Sequence, residues 1–369
     1  MKAQASRQTP LAPQRSAGEP ANRDLAQQLQ RIHEIASAFD LWNEPRSADV
    51  HPPGRRRLYD AADMANRLKW AKKIGGDGGK MVQARLEAAA AAGEWRTVAQ
   101  APEPIVLAPL LQRFPNFTDV THSVQRQLAL CHRSADKLLR LQPLLLTGDP
   151  GIGKTAFAHE LARLLGVPYH QIDVATLSAG FSLAGLDASY TSSKPGLIWD
   201  ALDGPCLSPL LLLDELDKVP GREDMFIGCL YPLLERRTAR RFKDAALLLQ
   251  MDCSHLLWIA TCNDASEVEP ALRSRFHVID VPAPTAAQAP QVIASVQHAL
   301  IDEAEWASGF DHELDADVMA ALCEMTPREL RQSLEQAYAN AASAGRSQLQ
   351  ATDISQRNRS HRHAIGFCV

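Results

Sequence analysis

The order of apolar and polar positions divides the chain into an alternating middle part and helical flanks. Short apolar runs at residues 143–146, 210–213 and 256–261 are typical of parallel strands that are buried on both faces. Residues 156–165, which follow the first run, have the apolar spacing of an amphipathic helix. Strands that alternate with helices in this way predict an α/β fold with a parallel central sheet.

The flanks of this middle part have helical patterns. Residues 286–303, 316–325 and 327–342 predict a small all-helical domain, and residues 116–141 predict a helix that leads into the first strand. Further helical patterns, such as residues 83–92, are interrupted by proline and glycine at 52–54 and 75–79. We therefore expect a disordered tail (1–22), a helical N-terminal region (23–105), an α/β domain (106–283), a helical lid (284–350) and a second tail (351–369).

Composition narrows the class of protein. The 369 residues include 39 Lys and Arg against 43 Asp and Glu, so no overall basic field of the kind that favours non-specific nucleic-acid binding is expected. The seven cysteines are odd in number and form no C-x-x-C pair, which argues against a disulfide framework and a zinc site. The sequence contains no apolar stretch of about 18 residues, as a membrane helix requires, and its first residues lack the apolar block of a secretion signal. A cytoplasmic protein without a membrane segment is expected.

A glycine-rich segment joins the first strand to the amphipathic helix. Residues 148–155 fit the spacing G-x-x-x-x-G-K-[ST], in the strand, loop and helix context that this phosphate-binding motif requires. Backbone N–H groups of the loop would surround phosphate oxygens, Lys154 would neutralise the outer phosphates, and the Thr155 hydroxyl would ligate Mg²⁺. The alternative is a glycine turn that happens to precede a helix. We expect ATP and Mg²⁺ to bind along Gly148, Asp149, Pro150, Gly151, Ile152, Gly153, Lys154, Thr155 and Ala156.

Polar residues follow the other two strands. Asp214 and Glu215 end the second apolar run, at the edge where α/β sheets bind ligands. Asp214 would hold Mg²⁺, and Glu215 would polarise the water that attacks the γ-phosphate. Asn263 follows the third run, where its amide would contact that water or the γ-phosphate. The alternatives are a helix cap for the two acids and an ordinary Asn-Asp turn for Asn263.

Two arginines suggest a site shared between subunits. Arg275 follows a short helical segment, together with Arg273, and we favour Arg275 as an arginine finger that would act in a neighbouring subunit. Arg328 follows Pro327 at the start of a lid helix and would report the nucleotide state to the lid. The alternatives are a helix C-terminal arginine for Arg275 and a solvated surface arginine for Arg328.

This order of motifs resembles the AAA+ ATPases, a class of P-loop NTPase, and within them the ATPase module of Lon proteases. Residues 190–198, 212–218, 242–244 and 252–254 are similar to Lon segments, and the resemblance covers about residues 144–337. It implies that Tyr190 is a pore-loop aromatic that grips an unfolded polypeptide, the alternative being a tyrosine packed at the sheet edge. Asp149 departs from Lon, which has proline there. The residues after the lid are too few for the Ser-Lys peptidase, so the resemblance implies a motor without proteolysis.

Three functions are consistent with these motifs. The first is an ATPase that forms a homo-oligomeric ring, expected to be a hexamer, and remodels or threads a protein client. The second is a nucleic-acid motor or loader, for which the five cations within residues 236–243 offer phosphate contacts, although they could equally face acidic groups of the next subunit. The third is a regulatory nucleotide switch with little turnover.

Overall fold

A computed structural model describes residues 52–74, 76–176, 181–186, 194–219 and 224–354, all of them in one compact unit. The expected tail 1–22, the helical patterns before residue 52, Tyr190 and most of the expected tail 351–369 lie outside these residues. Within the described ranges, no helix is both long enough and apolar enough to cross a membrane.

The first described segment combines two helices with a small sheet. Strand β1 (Arg55–Arg57) and strand β2 (Trp95–Thr97) pair antiparallel, and helices α1 (Ala61–Ala71) and α2 (Gly76–Ala92) lie between them in sequence. The sequence predicts that glycines at 75–79 interrupt the helical pattern. This prediction is wrong from Gly76 onward, because Gly76, Gly78 and Gly79 lie in the first turn of α2. Gly79 is buried there, and a Cβ on it would lie 2.5 Å from the carbonyl oxygen of Ile74. Glycine at this position permits close packing rather than breaking the helix.

Two helices precede the central sheet. They are α3 (Ala108–Arg113) and α4 (Thr118–His132). The predicted helix 116–141 is therefore too long at its C-terminal end. After a turn, Leu139 donates its N–H to the carbonyl of Ala99, and Ala101 donates to the carbonyl of Lys137. These backbone hydrogen bonds hold the segment in an extended conformation, whereas its sequence pattern predicted a helix.

The central sheet has five parallel strands, in the spatial order β4 (Tyr169–Asp173), β5 (Leu210–Asp214), β8 (Leu257–Cys262), β3 (Leu144–Thr147) and β9 (His277–Asp280). The predicted strands at 143–146, 210–213 and 256–261 are confirmed as β3, β5 and β8, within about one residue at each end. The strands that follow β2 along the chain are β3 (Leu144–Thr147), β4 (Tyr169–Asp173), β5 (Leu210–Asp214), β6 (Phe242–Lys243), β7 (Gln250–Met251), β8 (Leu257–Cys262) and β9 (His277–Asp280). Strands β6 and β7 form a separate antiparallel hairpin.

The remaining helices cover the sheet and build the lid. The helix predicted at 156–165 is confirmed, and the three predicted lid helices are all present. In chain order these helices are α5 (Lys154–Leu165), α6 (Phe181–Ala184), α7 (Leu197–Leu202), α8 (Asp224–Leu234), α9 (Arg236–Ala239), α10 (Pro270–Arg273), α11 (Ala289–Glu303), α12 (Ala316–Leu322) and α13 (Pro327–Ser343).

Alternate residues of the sheet enter different hydrophobic cores. Leu211 and Leu213 of β5 pack with residues of α1, α2, α7 and α8, whereas Leu210 and Leu212 pack with residues of α4 and α5. Burial on both faces explains the continuous apolar runs of the sequence. The lid has a third core of its own, formed by residues of α11, α12 and α13. The architecture is an α/β domain followed by a helical lid, as predicted.

An aromatic cluster supports the start of α5. Phe157 is fully buried, its ring stacks on Phe117 with centroids 4.5 Å apart, and Phe114 meets it edge-on at 5.6 Å. Stacked and edge-on pairs of this kind add stability beyond the area that they bury.

Replacing Phe157 with alanine is expected to lower the free energy of unfolding by about 3–5 kcal/mol, because it leaves a large cavity between the other two rings. Urea denaturation followed by circular dichroism measures the change. The control is Leu130→Ala, since Leu130 is 69% exposed and should change stability by no more than about 0.5 kcal/mol. Equal losses in the two variants would contradict this role for the cluster.

Candidate functional site

The glycine-rich loop between β3 and α5 has a backbone that only glycine adopts readily. Gly148, Gly151 and Gly153 have φ angles of 150°, 81° and 104°. A Cβ on Gly148 would lie 2.3 Å from the carbonyl oxygen of Val281, so a side chain there would force the chain apart. The loop therefore curves tightly from the end of β3 to the start of α5.

The start of α5 presents unused hydrogen-bond donors. Along α5, the first backbone N–H with an acceptor is that of Phe157, which donates to the carbonyl of Gly153 in the loop at 2.9 Å. The N–H groups of Lys154, Thr155 and Ala156 precede it and have no acceptor within the helix. Together with the positive end of the helix dipole, they form a favourable environment for an anion such as a phosphate group.

Lys154 is held inside the curve of the loop. It is 8% exposed, and its Nζ donates to the carbonyls of Gly148 (2.6 Å) and Asp149 (3.0 Å) and to Oδ1 of Asn263 (3.3 Å). Burial lowers the pKa of the Lys154 ammonium, while the carboxylates of Asp217 and Asp214 act in the opposite direction. The loop thus fixes a cationic group beside the helix start, although the side chain of Asp149 itself is exposed.

Asp214, at the end of β5, accepts hydrogen bonds from three neighbouring elements. Thr155 of α5 donates to it at 3.0 Å, Gln171 of β4 at 2.9 Å and Thr261 of β8 at 2.5 Å. The Thr155 hydroxyl and the Asp214 carboxylate therefore lie next to each other. Hard oxygen ligands of this kind suit Mg²⁺, which fits the metal role expected for this pair.

Glu215 has a strained backbone. Its φ and ψ angles are 58° and 49°, a left-handed conformation that is uncommon for a residue other than glycine or asparagine. Its N–H donates to Oγ1 of Thr261 at 3.0 Å, and its side chain lines the cleft. Strain of this kind often marks functional positions, because the surrounding structure must maintain it.

Asn263 is fixed from both sides. Its Oδ1 accepts from Lys154, and its N–H donates to Oδ2 of Asp217 at 3.0 Å. The side chain of Asp217 is 2% exposed, and its Oδ1 has no hydrogen-bond partner among the described residues. Asp217 was not singled out from the sequence, where it is one of three acids in residues 214–217.

The lid contacts the glycine-rich loop through the start of α13. A capping box of Thr326 and Glu329 with Pro327 in the first turn begins this helix. Arg328, the next residue, donates its N–H to the carbonyl of Gly151 at 3.3 Å, and its Cβ lies 3.2 Å from where a Cβ on Gly151 would be. Glycine in the loop therefore permits close approach of the lid.

A cleft of about 1060 Å³ lies between the loop and the lid. Loop residues 150–156, Asp214, Glu215, Asn263 and Arg328 line it, whereas Gly148 and Asp149 do not. A wall that sequence reasoning missed contains Arg113, which forms an ion pair with the buried Glu160 at 2.8 Å. A hydrogen bond from Arg163 holds the pKa of Glu160 below its ordinary value. Arg113 precedes the loop on a separate helix, α3, whereas Glu160 and Arg163 lie on α5 just after the loop, and no motif of the sequence pointed to any of the three.

Arg275 does not line the cleft of its own chain. Its guanidinium lies 4.5 Å over the ring of Tyr231, forms an ion pair with Glu235 at 2.9 Å and donates to the carbonyl of Ala271. Arg273 instead donates to the carbonyl of Ala265. The sequence-predicted loop, acids, Asn263 and Arg328 are thus brought together, Arg275 lies apart from them, and Tyr190 is outside the described residues.

A part of the chain that contains several of the cleft residues matches a known protein family. Residues 144–282 match the family described as "ATPase family associated with various cellular activities (AAA)". This range contains the loop, Asp214, Glu215, Asn263 and Arg275. The fold expected from the resemblance, a P-loop AAA domain with a parallel central sheet, is confirmed.

Curated relatives include Lon proteases. The peroxisomal Lon protease homolog 2 of Caenorhabditis elegans is 32% identical over 166 residues, which are 44% of this chain and 21% of that protein. Lon protease 2 of Bdellovibrio bacteriovorus is 32% identical over 142 residues, 38% of this chain and 18% of that protein. The chain thus matches about a fifth of the length of these relatives. Among solved structures, the RuvB Holliday junction branch migration motor of Thermotoga maritima is 18% identical over 64% of this chain and 66% of that one, with a TM-score of 0.43.

Replacing Thr261 with valine is expected to lower the free energy of unfolding by about 1–3 kcal/mol, because the Glu215 N–H loses its acceptor and Asp214 loses a donor. Thr261→Ser keeps the hydroxyl and is the matched control, with a loss of less than about 1.5 kcal/mol. Thermal and urea denaturation measure both variants. A valine variant as stable as the serine variant would show that this hydroxyl does not maintain the strained turn.

Proposed function

We propose that this chain, whose residues 144–282 form an AAA ATPase domain related to the ATPase module of Lon proteases, binds ATP with Mg²⁺ and hydrolyses it. The observation that carries the proposal is the convergence of the loop, Lys154, Asp214, Glu215 and Asn263 at one edge of the sheet, beneath the lid. Bound Mg²⁺ would neutralise phosphate charge and polarise the γ-phosphoryl group.

The roles of the loop residues follow from their contacts. The N–H groups at the start of α5 bind phosphate oxygens, and Lys154 exchanges its bonds to the loop carbonyls for bonds to the outer phosphates. Thr155 and Asp214, whose oxygens are adjacent, would hold the metal ion. The close approach of the loop to the phosphates depends on Gly151 and Gly153, which add no side chain to the cleft.

Glu215 and Asn263 act on the attacking water. Glu215 accepts the proton as a general base, and its strained backbone keeps the carboxylate at the cleft. Asn263 orients the water or the γ-phosphate from a position that Lys154 and Asp217 fix. Arg328, against the loop at Gly151, links the state of the nucleotide to the lid.

Arg275 supplies the missing positive charge from a neighbouring copy of the chain. Its separation from the cleft of its own chain supports an action between subunits, in which an arginine stabilises the charge of the transferring phosphoryl group. The proposal therefore includes a homo-oligomeric ring, expected to be a hexamer. The pairing of Arg275 with Tyr231 and Glu235 holds the guanidinium in place before the subunits meet.

The proposed work of the ring is to remodel or thread a protein client in the cytoplasm, with Tyr190 as the residue that grips the polypeptide. The relation to the ATPase module of Lon proteases supports a protein rather than a nucleic acid as client. ATPase rates with an unfolded protein, with duplex DNA and with neither decide between these clients. Stimulation by DNA that weakens steeply with salt would favour a nucleic-acid motor instead, and negligible turnover in all three would favour a nucleotide switch.

Glu215→Gln is expected to bind ATP as the wild type does but to lose steady turnover, because the amide cannot accept the proton of the attacking water. Fluorescent-ATP binding and phosphate release measure the two properties. Glu267→Gln is the matched control, since Glu267 is exposed near the end of β8 and does not line the cleft. Turnover that persists in Glu215→Gln would exclude Glu215 as the base.

Arg275→Ala is expected to lower the hydrolysis rate by roughly 10³-fold or more while ATP binding changes little. Arg273→Ala is the control, because Arg273 ends the short helix that Arg275 follows, and this variant should retain most of the rate. Mixing Arg275→Ala with Glu215→Gln subunits tests the shared site, since some interfaces then combine an intact Glu215 with an intact Arg275. No recovery at any mixing ratio would argue against action between subunits.

A further inference from the structure

Helix α9 carries the basic cluster that the proposed ATPase reaction leaves unused. Arg236 and Arg237 begin this helix and Arg240 follows it, and all three side chains are exposed. None of them forms an ion pair or a side-chain hydrogen bond with another described residue. Because unpaired cations this close in sequence repel one another, the cluster gives the isolated chain no stability of its own.

Two more arginines lie beside this cluster. Asp136, in the turn after α4, accepts a hydrogen bond from Arg140 at 3.1 Å and forms an ion pair with Arg56 of β1 at 3.6 Å. One carboxylate is therefore shared between two guanidinium groups. We call the five arginines together the basic patch: Arg56, Arg140, Arg236, Arg237 and Arg240.

The charges of the basic patch act on one another. Partial burial and the positive charges of Arg140 and Arg240 lower the pKa of the Arg236 guanidinium. The partly buried His255 lies among the same arginines, and burial lowers its pKa to about 4, so it is uncharged at neutral pH. The five arginines outnumber the two carboxylates beside them, Asp136 and Asp252. The patch therefore has a surplus of positive charge that carboxylates from outside would neutralise.

The opposite charge is concentrated in the lid. Residues 284–354 contain 11 Asp and Glu, three Arg and no Lys, although the charges of the whole chain are nearly balanced. Four of these carboxylates lie within residues 311–317, which lead into α12, and we call them the acidic loop: Asp311, Glu313, Asp315 and Asp317. All four are exposed, and none forms an ion pair with a described residue.

The basic patch and the acidic loop belong to different parts of the fold. Arg140 lies just before β3 and His255 just before β8, so the patch adjoins the amino ends of the sheet strands. The lid instead lies over the glycine-rich loop, which follows the carboxyl end of β3. A contact between the two surfaces therefore needs two copies of the chain. A contact between unlike surfaces of identical chains is also the kind that closes into a ring.

The patch adjoins the residue that is proposed to act between subunits. Glu235, which directly precedes Arg236, forms the ion pair with Arg275 at 2.9 Å. If Arg275 reaches the cleft of a neighbouring copy, α9 approaches that same copy. The lid forms one wall of the cleft, and its surplus of carboxylates complements the arginines of the patch.

Two observations favour a protein surface over a nucleic acid at the patch. Tyr59 and Phe242, aromatic residues close in sequence to the arginines, are buried and offer no ring on which bases could stack. The formal net charge of the chain is −4, which does not favour approach to a polyanion. Carboxylates suit the patch, since one arginine can donate two parallel hydrogen bonds to one carboxylate.

We propose that the basic patch is a docking surface for a second copy of this chain, in which the acidic loop of one copy meets the arginines of its neighbour. The inference deepens the proposed function, on which it rests for the role of Arg275, by naming the surfaces that bring the copies together. Assembly then depends on charge, so it should weaken as salt screens the contact.

The first variant reverses two charges of the patch, Arg236→Glu with Arg240→Glu, in the full-length chain. Sedimentation velocity with and without ATP measures assembly, and we expect the concentration at its midpoint to rise by roughly 10-fold or more. The free energy of unfolding, measured where the chain is monomeric, should stay equal or increase, because repulsion within the patch is removed. A merely structural role would lower it and would overturn the proposal.

The matched control is Lys69→Glu with Arg126→Glu, which changes the net charge by the same amount. Lys69 of α1 and Arg126 of α4 are exposed, and neither forms an ion pair with a described residue. This variant should assemble as the wild type does. An equal loss of assembly in the control would show that net charge, and not the patch, is responsible, which would also overturn the proposal.

The second variant reverses the acidic loop, Glu313→Arg with Asp317→Arg, at two side chains that form no hydrogen bond with described residues. We expect it to lose assembly on its own. An equal mixture of the patch variant and the loop variant should assemble again, because each reversed surface then meets one of opposite charge. A mixture that stays dissociated would exclude the acidic loop as the partner of the patch.

The alternatives give different results. If duplex DNA binds the wild type, and the patch variant loses this binding but still assembles, the patch serves a nucleic acid and the proposal is wrong. Sedimentation does not require hydrolysis, so failure of the proposed function is recognised separately. A wild type that assembles through the patch without turnover of ATP would reject the proposed function alone. A wild type that stays monomeric with and without ATP would reject the docking surface.

Discussion

The position of β8 between β3 and β5 is the constraint on which the site depends. Parallel pairing sets Leu146 of β3 beside Thr261, and Leu213 of β5 beside Ala260. The carboxyl ends of the three strands therefore meet at one edge, with β8 in the middle. Thr261 can then bond both Asp214 and the N–H of Glu215, and Asn263 can reach Lys154. A different strand order would separate the loop from the acids.

Much of this arrangement could be predicted because it is local in sequence. The loop, its strand and its helix are contiguous, and Asp214 ends a short apolar run of the kind that is typical of a buried strand. The partners of these residues could not be predicted, since Thr261, Gln171 and Asp217 become neighbours only through strand order and register. The same limit explains the overlong helix at 116–141, whose end is set by pairing with residues 99–101. The ion pair in the cleft wall could not be predicted for the same reason, since Arg113 of α3 meets Glu160 of α5 only in the folded chain.

The lid and the sheet have separate hydrophobic cores, which makes the cleft between them adjustable. Polar contacts join the two, such as the N–H of Arg328 to the carbonyl of Gly151 and the amide of Gln288 to the carbonyl of Pro115. Polar contacts of this kind can be exchanged for contacts to a ligand at small net cost, whereas a shared apolar core could not be opened so easily. A nucleotide in the cleft would contact both parts at once, and its binding energy could change their separation.

The left-handed backbone of Glu215 lowers the stability of the fold, whereas its carboxylate is needed for the proposed hydrolysis. A side chain in this conformation costs about 1 kcal/mol or more relative to glycine, so a glycine at this position would make the fold more resistant to heat while removing the carboxylate. If Glu215 is the general base, as proposed, selection for thermal stability alone would therefore favour a form of the protein that does not hydrolyse ATP. A heat-stable version of this protein would therefore have to keep glutamate at position 215. In a natural variant, a glutamate kept at this position would indicate that hydrolysis is still required.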